Sequence, residues 1–471
     1  MADEPLDTLH KALALNLDTG KFGSFAEIGA GQEVARWFFH AGHAAGTVAK
    51  SVSAYDMSVS DGMYGPTARY VSRERLESML DHEYKELIDR LDAKRGEKTC
   101  FFVFADTVAT RHRTPTETGH GWLGIRFQVH PRQEPSEIII HVQMLDQEVL
   151  GQQAALGMLG VNLVYAAIFH WWEPEVLMNL LIEGLSHERG EVDMIKFSGP
   201  AFEQVDNRLM ALELVERGLT NAAMFTAQRE VVQPAEVLYH KPVLLERGSF
   251  RPVTNVTLDM LDRAQKQIEV ENHDGAAGCV VLMEMTLSNL MDNQAIDHKD
   301  FLARADLLAA LGKNVLISNY TRFDGVTDYL RHYTKSKVGM VVGVPTLIEI
   351  FKEEYYTDLD GGILEGLGRL FHGPVKLYVY PTIDAASGQL LTAENPAIAP
   401  ELKHLYAYLW DNGYIAMIRD YDVADLRISP AEVLAKLQAD DPGWEALVPA
   451  NAAEVIKQKG LFGYPKRTAA D

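Results

Sequence analysis

The chain has 471 residues, of which 47% are apolar and 23% are charged, and its formal net charge is −22. This length exceeds that of one ordinary domain and predicts two domains, with three as the alternative, and the composition is typical of a folded globular protein. Because an acidic surface repels nucleic acid and anionic membranes, we expect neither as a partner.

Two further features predict a cytoplasmic protein. Cys100 and Cys279 stand beside apolar runs, far apart and without metal-ligand spacing, so we expect buried free thiols in a reducing compartment. The acidic N-terminus lacks the basic region and apolar core of a signal peptide. We identify no apolar run of the ~18 residues that a transmembrane helix needs.

Residues 1–190 predict a mixed α/β domain. Apolar spacing there predicts a charged amphipathic helix over Arg73–Arg95 and an antiparallel hairpin formed by Trp122–Val129 and Glu137–Val142. The apolar stretch that starts at Gly151 predicts a buried helix that runs into a strand. The other predicted elements, in chain order, are the strand Ser24–Ile28, the helix Gln32–His40, the strand Thr47–Tyr55, the strand Thr99–Phe104 and the helix Pro174–Leu185.

Residues 191–471 predict a second α/β domain with alternating strands and helices. Strands separated by helices of ten or more residues imply right-handed crossovers, and hence a mainly parallel sheet flanked by helices. The predicted strands are Val192–Phe197, Asn221–Thr226, Pro242–Glu246, Cys279–Thr286, Asn314–Ser318, Gly339–Val344 and Val375–Tyr380. The predicted helices are Ala201–Arg217, Thr257–Val270, Asp300–Leu311, Val326–Tyr333, Gly362–Phe371 and Pro400–Asn412.

A glycine turn lies between the first strand and the first helix of the mixed domain. Gly29 and Gly31 flank Ala30 in this turn, and a turn before a helix presents backbone N–H groups that favour a phosphate or a carboxylate. The run Glu27–Gly31 also resembles the first motif of class I methyltransferases, in which an acidic residue after the next strand holds a ribose. Asp56 is at that position, so a plain turn, an anion site and an S-adenosylmethionine site all stay open.

A short polar stretch follows the second predicted strand. It contains Lys50, Asp56 and Asp61, and two carboxylates with a lysine can act as acid and base or bind a hard cation. A solvated loop with a salt bridge explains the same residues. We assign the three to a candidate catalytic site, with any metal left unknown.

Five histidines lie between residues 112 and 170. None has the i, i+4 spacing of a helical zinc site, so we interpret them as surface or hydrogen-bonded core residues. They are His112, His120, His130, His141 and His170.

Basic and polar residues at predicted strand ends form a second candidate site. Ligands of open parallel sheets collect beyond the carboxyl ends of the strands, and arginine there suits phosphate. Ionic pairing with nearby carboxylates, or helix capping, is the structural alternative. The candidate anion-binding residues, besides the two turn glycines, are Lys196, Ser198, Arg247, Arg251, Asn319 and Arg322.

Several runs along the chain carry a family resemblance. GSFAEIGAGQEVARWFF, KSVSAYDMSVSD, IKFSGPAFEQVDNRL and DLDGGILEGLGRLF resemble an uncharacterised bacterial family of about this length. Its members bear the label nicotinate-nucleotide adenylyltransferase, and this label implies a nucleotide cofactor with Mg²⁺.

These observations lead to one functional hypothesis and two alternatives. The hypothesis is a cytoplasmic enzyme that acts on a phosphorylated or nucleotide-like metabolite, with nucleotidyl transfer as the reaction that the resemblance implies. Its partner is a small anionic substrate, and a homo-oligomer is compatible with the sequence. The alternatives are a methyltransferase-like S-adenosylmethionine binder and a non-catalytic scaffold or sensor.

Overall fold

A computed structural model describes residues 6–111, 118–271, 278–292, 295–384 and 387–465. The chain divides into two compact units, Met1–Thr220 and Asn221–Asp471. The division lies later than the boundary expected near residue 190. The reason is that the strand Gly190–Ser198 pairs with the strand Ser136–Met144, and therefore belongs to the sheet of the first unit.

The first unit begins with a helix and then builds a six-stranded sheet. Its elements are α1 (Thr8–Leu17), β1 (Lys21–Gly29), α2 (Val34–Ala41), β2 (Val48–Ala54), α3 (Met57–Tyr64), α4 (Arg73–Arg95), β3 (Cys100–Ala109), β4 (Gly119–Phe127), β5 (Ser136–Met144), α5 (Val149–Phe169), α6 (Pro174–Leu181), β6 (Gly190–Ser198) and α7 (Asn207–Glu216).

The sheet of the first unit is mixed, as the sequence predicts. Its strand order is β2-β1-β3-β4-β5-β6. The strands β2, β1 and β3 are parallel, whereas the pairings from β3 to β6 are antiparallel. The antiparallel pairing of β4 with β5 confirms the predicted hairpin. Helices α1, α2 and α5 pack together, and α4 packs on β3 and β4.

Helix α4 has the predicted bounds, Arg73–Arg95. The Ser72 side chain accepts a hydrogen bond from the Arg75 N–H at 3.2 Å and caps the first turn. Leu76, Leu80 and Leu87 lie on one face and are buried, which is the spacing of an amphipathic helix on a sheet.

Helix α5 continues to Phe169, so the strand predicted at its C-terminal end is absent from this described segment. Val161, Val164 and Ile168 are buried in its C-terminal half, where tertiary packing overrides the strand preference of β-branched residues. A Cβ built at Gly160 would lie 2.3 Å from a Val34 methyl group, so glycine permits the close approach of α5 and α2. By length and composition α5 could cross a membrane, but 72% of its most apolar window is buried within the protein.

The second unit alternates strands and helices. Its elements are β7 (Ala222–Phe225), β8 (Val231–Val232), α8 (Pro234–Leu238), β9 (Val243–Arg247), α9 (Asn255–Glu271), β10 (Val280–Thr286), α10 (Leu287–Leu290), β11 (Met291–Asp292), β12 (Ala295–Ile296), α11 (His298–Ala310), β13 (Asn314–Ser318), α12 (Phe323–Tyr333), β14 (Val338–Gly343), α13 (Val344–Ile350), α14 (Gly362–Leu370), β15 (Val375–Tyr380), β16 (Thr382–Ile383), β17 (Leu390–Leu391), α15 (Lys403–Asp411), β18 (Ile415–Met417), α16 (Pro430–Gln438) and α17 (Ala450–Lys459).

The main sheet of the second unit has eight strands in the order β18-β15-β14-β9-β10-β13-β7-β8. All pairings from β18 to β13 are parallel, and only β7 and β8 at one edge are antiparallel. The predicted mainly parallel sheet flanked by helices is therefore confirmed. In such a sheet the loops that follow the parallel strands meet at one edge, where ligands bind in α/β proteins.

Candidate functional site

Two acidic side chains of the first unit, Glu27 and Asp106, lie next to the glycine turn. Gly29 has φ +76°, and a Cβ there would lie 2.3 Å from the Val108 carbonyl oxygen, so the turn requires glycine. The Glu27 carboxylate accepts the N–H groups of Val34 at 2.8 Å and Ala35 at 3.4 Å. The first N–H groups of α2, which we predicted to bind an anionic ligand, therefore donate to Glu27.

A second buried carboxyl lies beside Glu27. Asp106 is the register partner of Glu27 on β3, and the exposed fractions of the two residues are 2% and 0%. Asp106 Oδ1 would lie 2.1 Å from a Cβ built at Gly31, so this glycine leaves room for the carboxyl. No side chain among the described residues donates a hydrogen bond to Asp106, and the Ile28 N–H lowers the pKa of its carboxyl.

Burial controls the ionisation of this carboxyl pair. It raises the pKa of the Glu27 carboxyl to about 7, against two hydrogen bonds from α2 that lower it. Burial, followed by the charge of Glu27, raises the pKa of the Asp106 carboxyl well above its usual range. When two carboxyls share a desolvated site, ionisation of both is energetically unfavourable.

The three predicted catalytic residues each have a separate structural partner. The Lys50 ammonium pairs with Glu83 at 2.5 Å and also with Glu86. The Asp56 side chain caps α3 by accepting the Ser58 N–H, and Asp61 accepts a hydrogen bond from the buried Arg75 at 2.9 Å. Within the part of the chain that the structure describes, the three side chains share no partner, and their catalytic role stays a prediction.

One group of side chains in the same unit has the geometry of a metal site. The ligand atoms of His82, Glu83 and Glu86 lie within 4.8 Å of one another. The Lys50 ammonium contacts both carboxylates, so a cation of the chain already neutralises the group. The arrangement is therefore explained without a metal ion.

Lys196 and Ser198 lie on β6, at positions that pair with Ile139 and Glu137. The helix predicted over Ala201–Arg217 begins only at Asn207, after a single 3-10 turn at Pro200–Phe202. Its N-cap is Asp206, whose side chain accepts the Arg208 N–H at 2.9 Å. The helix N-terminus predicted at Ser198 is thus displaced, and Asp206 caps it.

Two of the three predicted arginines of the second unit pair with carboxylates outside the cavity that Arg251 lines. Arg247 makes a bidentate pair with Glu284, at 2.8 and 2.9 Å, and its guanidinium lies 4.4 Å from the Phe323 ring centroid. Arg322 pairs with Asp324 at 3.0 Å and with Asp358 at 2.6 Å.

Asn319 has a backbone role at the end of β13. Its N–H donates to the Asn221 carbonyl at 3.0 Å, and the residue is exposed.

Arg251 lines a cavity of 560 Å³ at the carboxyl ends of β9 and β10. Ser249 and Arg251 follow β9 directly, and Asn289 follows β10. The first turns of α11 supply Asp300 and Arg304. The volume lies within the range of about 300–1,000 Å³ that is usual for small-molecule sites.

An Arg–Asp–Arg chain crosses this cavity. Asp300 pairs with Arg251 Nε at 2.8 Å through Oδ1 and accepts from Arg304 Nε at 2.6 Å through Oδ2. Arg304 is 4% exposed and also donates to the carbonyls of Ser249 and Asn289. Two guanidinium groups thus share one carboxylate, so the chain of three carries one excess positive charge.

The remaining acidic side chain of the cavity has a different function. The Asp297 carboxylate accepts the N–H groups of Lys299 at 2.8 Å and Asp300 at 3.3 Å, and so caps α11. Among the described residues, Arg251 forms an ion pair with Asp300, and every donor group of a guanidinium can also serve an anion. Sequence patterns missed Arg304 and Asp300, whose only signal was their i, i+4 spacing on a predicted helix.

By fold, the chain is a two-unit α/β protein with a cavity at the carboxyl ends of a mainly parallel sheet. No protein-family model matches the chain, and no curated protein matches it.

Some solved structures are weakly similar to it. The competence/damage-inducible protein CihA from Agrobacterium tumefaciens is 17% identical, with a TM-score of 0.24, over 38% of this chain and 99% of that chain. A CinA superfamily protein from Klebsiella pneumoniae is 14% identical, with a TM-score of 0.26, over 35% and 100% of the two chains. A CinA superfamily protein from Enterobacter cloacae is 15% identical, with a TM-score of 0.24, over 38% and 96%. Similarity at this level carries no functional argument, and the adenylyltransferase label stays a prediction.

Proposed function

We propose that the protein acts on a phosphorylated, nucleotide-like metabolite, which the second unit binds in the cavity beyond β9 and β10. The observation that carries this proposal is the Arg–Asp–Arg chain, because two arginines share the single carboxylate of Asp300. The four charged side chains that line the cavity sum to zero in a protein whose net charge is −22, so the cavity is much less repulsive to an anionic ligand than the acidic surface is.

Arg251 is the residue that contacts the anion in this proposal. Its side chain is 34% exposed, and its Nε lies 2.8 Å from Asp300 Oδ1. In this proposal the two Nη groups make a bidentate contact with a phosphate. Arg304 is a positioning residue, because its donors already hold Asp300 and two carbonyl groups. The hydroxyl of Ser249 and the amide of Asn289 supply uncharged polar contacts in the same cavity.

The S-adenosylmethionine alternative has less support from the geometry of its motif. Asp56, which that hypothesis assigns to a ribose, caps α3 through Ser58 and Val59. Glu27 engages the amides of α2. Both acidic groups of the motif therefore already have backbone partners.

Calorimetric titration of the full chain tests the proposal. The ligands are inorganic phosphate, pyrophosphate, AMP, ADP and ATP, the last three with and without Mg²⁺, and S-adenosylmethionine is included as the alternative. We expect a phosphorylated ligand to bind and Arg251→Gln to weaken it about tenfold or more, since a charge-assisted hydrogen bond contributes about 1.5–3 kcal/mol.

Arg322→Gln is the matched control, because Arg322 is a predicted anion-binding residue that does not line the cavity. It should leave the affinity unchanged. The proposal is wrong when no phosphorylated ligand binds the wild-type protein, or when Arg251→Gln and Arg322→Gln bind equally well.

A further inference from the structure

The two edges of the sheet in the first unit differ in how they are protected. The edge strand β6 has a bulge at Asp193, and its charged residues are Glu191, Asp193 and Lys196. Asp193 points inward, and its Oδ1 lies 2.5 Å from Nδ1 of His141, the hydrogen-bonded core histidine that the sequence predicts, whereas His112 lies outside the described residues. Bulges and inward-pointing charges protect an edge strand from pairing with another chain.

The opposite edge strand, β2, has a bulge at Ala49 but lacks the other protective features. It contains no proline and no acidic residue, and its single charged side chain, Lys50, contacts Glu83 and Glu86 of α4. The regular pairing with β1 covers Lys50–Ala54. An edge strand presents a row of backbone N–H and C=O groups that point away from its neighbour, and no described residue forms a hydrogen bond with this row in β2.

The side chains on and after β2 suit contact with another protein strand. One face of the strand consists of small exposed residues, namely Ala49, Ser51 and Ser53. Directly after the strand, three large apolar side chains have exposed fractions of 80%, 61% and 52%, namely Tyr55, Met57 and Val59. Exposed apolar side chains that lie close together mark interaction surfaces. We call the unpaired edge Lys50–Ala54 and these three side chains the β2 surface.

Charge favours a second copy of this chain as the occupant of the β2 surface. Two chains of net charge −22 repel each other, so they associate best through a surface that adds no further negative charge. Residues 47–55 contain none of the 66 acidic residues of the chain, and Lys50 is already neutralised. The strand therefore offers no charge that would select a charged partner, whereas its uncharged backbone edge is complementary to a copy of itself.

We propose that β2 pairs with β2 of a second copy, antiparallel and about a two-fold axis at Val52, and so joins two six-stranded sheets into one. Val52 is the centre of the regular segment Lys50–Ala54. In this register Ser51 lies opposite Ser53 of the second copy, and Tyr55 lies opposite the small Ala49. The pairing gives hydrogen-bond partners to both edges. It is independent of the anion cavity, which belongs to the second unit.

The first carboxylate after the strand, Asp56, does not oppose this arrangement. It caps α3 by accepting the N–H groups of Ser58 and Val59. Asp56 is four residues from the axis, so its two copies are about 26 Å apart along the strands at about 3.3 Å per residue. That distance exceeds the Debye length of about 8 Å at physiological ionic strength, so the repulsion between the two carboxylates is screened.

Sedimentation velocity of the full chain tests the proposal at about 1–100 µM, because an edge-strand contact is at the small end of specific interfaces. We expect the wild type to shift from monomer to dimer over this range. The variant Ser51→Glu/Ser53→Glu places two pairs of like charges directly opposite each other and should raise the dissociation constant at least about tenfold. The matched control is Ala93→Glu/Ser186→Glu, which adds the same charge at two exposed positions of the same unit and should retain the wild-type constant.

A charge exchange supplies a readout that a loss of folding cannot produce. The variant Ser51→Lys/Ser53→Lys should also be monomeric at concentrations where the wild type is dimeric. An equal mixture of the glutamate and lysine variants should form a heterodimer, because opposite charges then meet across the axis. A mixture that stays monomeric overturns the proposal, as does a glutamate variant with the wild-type dissociation constant.

A wild type that is monomeric over the whole range would also overturn the proposal and would leave a strand of another protein as the occupant. Should either double variant not fold by circular dichroism, Tyr55→Ser decides instead, because this side chain is 80% exposed and its loss should not affect folding. We expect Tyr55→Ser to raise the dissociation constant at least about threefold, since the ring no longer covers Ala49 of the second copy. An unchanged constant in this variant would contradict the proposed pairing.

Discussion

The buried Glu27 carboxyl makes the stability of the first unit depend on pH, and replacing it by glutamine should remove that dependence. Burial raises its pKa from 4.5 to about 7 in the folded protein. Between these two values the unfolded chain releases a proton that the folded chain retains, so the wild type loses stability as the pH rises. One pH unit between the two pKa values corresponds to about 1.4 kcal/mol, which gives a loss of about 3 kcal/mol above pH 7.

Glu27→Gln keeps the oxygen that accepts the Val34 N–H and stays neutral at every pH. We therefore expect the variant and the wild type to differ by less than about 1 kcal/mol at pH 5, and the variant to be about 3 kcal/mol more stable at pH 8. Urea unfolding followed by tryptophan fluorescence measures both values. Four of the six tryptophans lie in residues 1–220 and report on the first unit.

Glu188→Gln is the control, since Glu188 is an exposed carboxylate of the same unit. Its effect on the free energy of unfolding should be the same at both pH values. If the difference between Glu27→Gln and the wild type is also the same at pH 5 and pH 8, then burial does not control Glu27, and the reasoning is refuted.

Two further substitutions test the contacts around the predicted sites. Gly31→Ala should destabilise the first unit by about 1–3 kcal/mol, because the new Cβ would lie 2.1 Å from Asp106 Oδ1. Gly62→Ala, where a Cβ meets nothing within 4 Å, should not destabilise it, and equal urea midpoints for the two variants would contradict this explanation. Asp61→Ala should cost about 2 kcal/mol, because it removes the carboxylate partner of Arg75, which is 1% exposed. Asp89→Ala breaks an exposed pair with Lys85 and should cost no more than about 0.5 kcal/mol; a similar loss in both would show that burial is irrelevant.

Elements with a strong local pattern were predictable from the sequence. The bounds of α4 and β15, Arg73–Arg95 and Val375–Tyr380, agree with the expectation, because helical spacing and strand alternation are properties of adjacent residues. The mixed first sheet and the mainly parallel second sheet also followed from the lengths of the segments between strands. Helix α5 was predicted only in part, since its packing against Val34 decides its C-terminal half.

The pairing of polar side chains was not predictable, because it depends on register over long separations. Asp193 meets His141 across 52 residues and through a bulge that no local pattern indicates. Glu27 reaches the first amides of α2 only because the Gly29 turn folds the helix back over β1. The sequence located that turn, whereas the direction of the carboxylate came from the structure.

The charge balance of the predicted arginines explains why only one of them supports a ligand site. In an acidic chain almost every arginine finds a carboxylate, and Arg247 and Arg322 each have at least one of their own. An arginine by itself therefore does not indicate an anion site. Arg251 differs because its partner Asp300 also serves the buried Arg304, so Arg251 has no carboxylate of its own. A phosphate that contacts Arg251 would not have to displace a bidentate carboxylate, whereas at Arg247 it would have to displace the bidentate Glu284.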